Sequence, residues 1–223
     1  KTVFIASQDT TNPAALIKWA TFASKKFPNN GYFLGELIRG YEAAGPVDSV
    51  VTVTRRLIAV DKTDMTPVIR AVRALLKDKR YTDAMELGQV IEQNGQDTDK
   101  ANLGAVLASE GGIPVLQTEP VDFALAEQLG KKAVSLLQPD TRQYQLASYV
   151  VGFGLLGQIP AKDQEVVTGK TCESVNALEA WVNDTKTALT AGQSIQPEVV
   201  PGRIQWLDQY GPRIAQMKKA YCK

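Results

Sequence analysis

The sequence predicts an all-α chain in which antiparallel helix pairs stack into a solenoid. Three observations predict it. Apolar residues recur with helical period along most of the 223 residues, and no run alternates apolar with polar as a half-buried strand does. Two consecutive blocks of equal length, Gly31 to Asp64 and Met65 to Thr98, each read as a helix, a turn and a second helix. Self-similarity at a fixed period of ~34 residues is the mark of a repeat array. The turns also fall in register. Gly45-Pro46-Val47-Asp48-Ser49-Val50 stands opposite Lys79-Arg80-Tyr81-Thr82-Asp83-Ala84, the apolar run Leu57-Ile58-Val60 stands opposite Ile91, and polar turns at Lys62-Thr63-Asp64 and Gln96-Asp97-Thr98 close the two blocks.

The stretch Tyr81-Thr82-Asp83-Ala84-Met85-Glu86-Leu87-Gly88, with spaced apolar residues on first helices and small ones on second helices, resembles the tetratricopeptide repeat. Upstream, Leu16, Ala20, Ala23 and the stop Phe27-Pro28-Asn29-Asn30 resemble the second half of such a repeat. Downstream, a helix near Leu103 to Ser109 is followed by extra residues around Gly111-Gly112-Ile113-Pro114. Ala126, Ala133 and the close Gln138-Pro139-Asp140 then resemble another second helix. The chain departs from the family where Ile38, Val50 and Leu57 replace small residues at helix crossings, and neither full block ends in proline. The resemblance spans residues 12–157.

The resemblance implies a concave groove lined by the first helix of each pair, which holds a protein or peptide partner. The first block would contribute Tyr32, Arg39 and Glu42, and the second Thr66, Ile69, Arg70, Arg73 and Lys77, with Lys100 continuing the face. Arg39, Arg73 and Lys77 would then share a space suited to a carboxylate terminus or an acidic segment. The competing reading is ordinary solvated charge.

Residues 171–223 predict a different element, a helical hairpin that caps the stack. Val175, Leu178, Val182 and Leu189 form one apolar stripe, and Ile204, Leu207, Ile214 and Tyr221 form another, with Gln196-Pro197 and Pro201-Gly202 between them. Pro212 cannot donate to the Asp208 carbonyl, so the second helix kinks or restarts there. Cys172 and Cys222 lie at mirror positions about Pro197, so folding the arms together brings the thiols to bridging range. A disulfide places the protein outside the cytoplasm, in a periplasm or secreted; two reduced, buried thiols are the alternative. Trp181, Trp206 and Tyr210 read as packing residues of this cap, with a ligand site at the end of the stack as the alternative.

Composition narrows the chemistry. The 25 basic and 24 acidic side chains nearly cancel, which gives no broad footprint for nucleic acid. No apolar run approaches the ~20 residues that span a bilayer, so membrane insertion is not expected. Length alone allows one domain or two, and continuous stacking favours one over residues 1–223. A start at Lys1 fits a processed chain whose signal peptide, if it had one, is gone.

The chain has no histidine, which removes the common triads, His-based zinc sites and the usual general base near neutral pH. Gly169-Lys170-Thr171 lacks the upstream glycine of a phosphate loop, and Gly152-Phe153-Gly154 lies in a helical pattern where glycine permits close helix approach. Asp61, Asp64, Glu86, Glu92, Asp97 and Asp99 sit at turns and helix ends as caps or solvated charge. Asn183-Asp184-Thr185, a possible glycosylation acceptor, falls inside a helix. No catalytic residue, metal site or cofactor is expected. The sequence thus predicts a noncatalytic scaffold that binds a protein, a peptide or its own copy. An enzyme or regulatory domain with carboxylate chemistry in the groove, or a structural part of an envelope assembly, are the alternatives.

Overall fold

The computed structural model describes residues 12–222, and among them every regular element is a helix. The chain divides into two compact units, one up to Leu103 and one from Gly104.

The first unit begins with α1 (Pro13–Lys26). Asn12 accepts a hydrogen bond from the Ala15 amide at 3.1 Å, Pro13 opens the first turn, and Lys25 and Lys26 close the last, where cations suit the helix dipole. The α2 helix (Gly31–Ala44) starts at Asn30, whose side chain accepts from the Tyr32 amide, and stops at Gly45. The next three are α3 (Val47–Val60), α4 (Thr66–Lys77) and α5 (Tyr81–Asn94). Both 34-residue blocks therefore form the expected helix, turn and helix. The α2 helix packs on α1, α3 and α4, and α4 packs on α2, α3 and α5. The two second helices are tied at their starts by Arg80, which bonds Asp48 of α3 and Asp83 of α5. α6 (Asp97–Val106) follows, and its Leu103 is fully buried.

Central position gives α4 an unusually wide apolar surface. Val68, Ile69, Ala71, Val72, Ala74, Leu75 and Leu76 are all buried, which leaves one polar stripe, Thr66, Arg70, Arg73 and Lys77, at helical spacing. Ile69, expected in the groove, is 8% exposed and belongs to the core instead.

In the second unit the residues expected as an insertion wind into a π-helical turn, Leu107–Gly112, followed by the short α7 (Ile113–Leu116). Gly112 permits the tight fit, because a Cβ there would stand 2.5 Å from a Val150 methyl. α8 (Phe123–Val134) is capped by Asp122, which accepts from the Leu125 amide at 2.9 Å. The α9 helix (Arg142–Gly169) packs against both α8 and α10 (Cys172–Ala191). Its glycines set those approaches. A Cβ on Gly152 would stand 2.6 Å from a Leu189 methyl, one on Gly154 would stand 2.6 Å from the Glu127 amide nitrogen, and one on Gly157 would overlap the Phe123 ring. The Gly154 neighbour is backbone and cannot rotate aside. Gly154→Ala is therefore expected to lower stability by about 1 to 3 kcal/mol despite alanine's better helix propensity, read from the denaturant midpoint. A gain in midpoint would mean that α8 and α9 are not seated this closely.

The C-terminal hairpin forms with two differences from expectation. A 3-10 turn, Gln193–Ile195, leads to α11 (Val200–Asp208), so Pro201 and Gly202 lie in the first turn of that helix and not in the connection. The arm then restarts as α12 (Tyr210–Tyr221), as Pro212 requires. Cys172 and Cys222 stand at disulfide distance, with their Cα atoms 4.6 Å apart. Trp181 is half-buried and donates from Nε1 to the Leu155 carbonyl at 3.0 Å. Trp206, expected in the core, is 38% exposed and meets the Tyr210 ring edge-on at 5.1 Å. It neighbours the buried Leu207, and successive residues on a helix point about 100° apart, so the burial of one does not carry the other inside.

Candidate functional site

A cavity of about 370 Å³ opens between α2 and α4, bordered by the connection that ends α3. Its floor exists because Gly31 and Gly35, one helical turn apart, offer no side chains. A Cβ on Gly35 would stand 3.2 Å from the Pro67 ring, and one on Gly31 would stand 2.7 Å from an Asp61 carboxylate oxygen. Tyr32, 54% exposed, stands at one side.

The walls are charged in both senses. Glu36, Asp61 and Asp64 face Arg39 and Arg70. Arg39 pairs with Glu36 one turn before it at 2.6 Å, and Arg70 reaches back to Glu42 of α2 at 3.0 Å. Asp61 accepts from the Thr63 hydroxyl at 2.7 Å and the Thr63 amide at 2.8 Å. The hydroxyl bond, then the amide bond, holds the Asp61 carboxyl below its ordinary range, so it stays ionised near neutrality and has no proton to donate. Asp64 accepts from the Thr66 amide at 2.9 Å, which fixes the start of α4.

Of the residues expected in the groove, the cavity gathers Tyr32, Arg39, Thr66 and Arg70, with Glu42 held against it through Arg70. Arg73 and Lys77 continue the polar stripe of α4 but do not line the cavity, and Lys100 lies on α6, 4.0 Å from Asp97. The sequence reasoning missed Glu36, Asp61 and Asp64. Glu36 was legible from its spacing of three to Arg39, whereas the two aspartates enter only because α4 folds back on α2.

Other motifs resolve as structure. Gly169 ends α9, Lys170 turns the chain in the left-handed region at φ 51°, and Thr171 caps α10 by accepting from the Ser174 amide at 3.2 Å. The glycine run extends to Gly157 and has the spacing of a dinucleotide loop, yet it lies inside α9 with no strand before it. Thr185 of the glycosylation tripeptide is fully buried and donates to the Trp181 carbonyl at 2.7 Å. Among the described residues, no cluster of three or more acidic or cysteine side chains is placed to hold a metal, and no helix is long and apolar enough to cross a membrane. No family model, curated protein sequence or solved structure matches the chain.

Proposed function

We propose that this chain is a noncatalytic, tetratricopeptide-like binding scaffold that works outside the cytoplasm and holds a peptide segment of a partner in the cavity between α2 and α4. One observation carries the reading: four of the nine side chains that the resemblance assigns to a groove, Tyr32, Arg39, Thr66 and Arg70, converge on one open cavity. Contact of α4 with both α2 and α3 supports a solenoid arrangement within the first unit, since stacked pairs bury each new first helix against the pair before it. The cysteine pair supports an oxidising compartment. Mixed charge suits a segment that offers both donors and acceptors.

Thr66→Tyr fills the cavity from an exposed position, so the fold should survive it. With the wild-type chain as bait in extract from the native source, a partner peptide is retained; the Thr66→Tyr and Arg39→Glu variants are expected to lose it by more than about tenfold, or about 1.4 kcal/mol. Equal retention by both variants would place recognition elsewhere.

A further inference from the structure

The outward face of α1 carries an exposed aromatic and basic patch whose residues do not line the cavity. Lys18, Trp19, Phe22, Lys25 and Lys26 recur at spacings of three and four, on the side opposite the buried Leu16, Ala20 and Ala23. Phe22 is 61% exposed and Trp19 37%, and the two rings meet edge-on with centroids 6.4 Å apart, so they form one apolar patch. The Lys18 ammonium stands 6.0 Å from the Trp19 ring, and all three lysines are exposed. No acidic residue occurs between Asp9 and Glu36.

We propose that this face docks the protein on an anionic lipid surface, with the Trp19 and Phe22 rings at headgroup depth and the three lysines against lipid phosphates and carboxylates. Each feature matches that occupant. Aromatic rings settle at the boundary between acyl chains and headgroups, and long lysine stems lay apolar methylenes along the rings while the charge stays in water. Clustered lysines without compensating acids add attraction to anionic lipid. A second copy fits poorly, because an isologous contact would bring lysine clusters together. A nucleic acid fits poorly too. The patch has no arginine for stacking or bidentate phosphate contact, and the whole chain is nearly neutral. Such docking is peripheral and requires no membrane-crossing helix.

Cosedimentation of the intact chain with phosphatidylcholine vesicles, with and without phosphatidylserine, tests this at about 0.1 M salt, where surface charges act over about 10 Å. Binding to the anionic vesicles is expected, with little to phosphatidylcholine alone. Trp19→Ser with Phe22→Ser should lower binding about tenfold or more while the helical circular dichroism is kept. Lys18→Glu with Lys25→Glu and Lys26→Glu should do the same by the charge term. No binding to either vesicle overturns the proposal. So does undiminished binding by both variant sets, or tighter binding of polyglutamate or of a single-stranded oligonucleotide than of anionic vesicles, which would reassign the face to an acidic protein or a nucleic acid.

Discussion

Leu75→Ala and Leu37→Ala are each expected to lower the unfolding free energy of the first unit by about 2 to 4 kcal/mol. Leu75 is 1% exposed on α4, the helix that touches α2, α3 and α5, and Leu37 is 3% exposed on α2, which touches α1, α3 and α4. Truncating either removes apolar burial and leaves a cavity that three anchored neighbours cannot collapse to fill. A surface substitution on α4, Lys77→Ala, should stay within about 1 kcal/mol, because it leaves that core intact. Urea midpoints are the measurement. If both leucine variants unfold at the wild-type midpoint, the helix register of this unit is wrong.

Reducing the Cys172–Cys222 pair should loosen the C-terminal hairpin ahead of everything else in the second unit. The cysteines are 50 residues apart, and closing a loop of that size contributes roughly 4 kcal/mol in the chain-entropy account. Little else fastens the outer arm. Within α11 and α12 only Val200, Leu207 and Ile214 are buried, and the ion pairs Lys218 with Glu179, Arg213 with Asp163 and Lys186 with Asp208 are partly exposed. The two lysine pairs contribute about 0 to 1 kcal/mol each, and the bidentate Arg213–Asp163 pair stands toward the top of that range. A fall of several degrees in melting temperature is expected on reduction, since about 1 kcal/mol corresponds to roughly 2 to 4 °C at this size. Nonreducing mass spectrometry of protein from its native compartment decides the premise, and two free thiols there would remove both the bridge and the argument for export.

Helices were legible in the sequence where a single face is buried, as in α2, where Leu34, Leu37 and Ile38 mark the core at spacings of three and four. The hairpin and its cysteine pairing were legible because turn and break signals, Pro197 and Pro212, fix the lengths of the arms. Ile69 misled because the repeat resemblance places the first helix of a pair on the groove, whereas α4 here is covered by α2, α3 and α5 and buries Ile69 with the rest of its wide apolar face. Trp206 misled because a large aromatic beside a buried leucine shares its position in sequence and not its angle around the helix. The charge of the site was only half legible. The pairing of Arg39 with Glu36 is local, whereas that of Arg70 with Glu42 crosses 28 residues and exists only after folding.

The glycines of α9 also bear on how this unit can change over evolutionary time. Every substitution open to a glycine adds volume, and at Gly152, Gly154 and Gly157 the space is already occupied by Leu189, the Glu127 backbone and Phe123. Divergence along this seam therefore has a one-sided constraint: Phe123 must shrink before Gly157 can grow, while Gly154 faces only main chain, and Gly152 meets the Leu189 amide nitrogen at 3.0 Å as well as its side chain, so replacing a partner residue does not clear the space. Lineages of this fold should accumulate change in the exposed outer arm and keep Gly154 and Gly192 fixed, since a Cβ on Gly192 would likewise stand 2.5 Å from main chain, the Tyr149 amide nitrogen, which makes these positions better markers of kinship than the larger core residues around them.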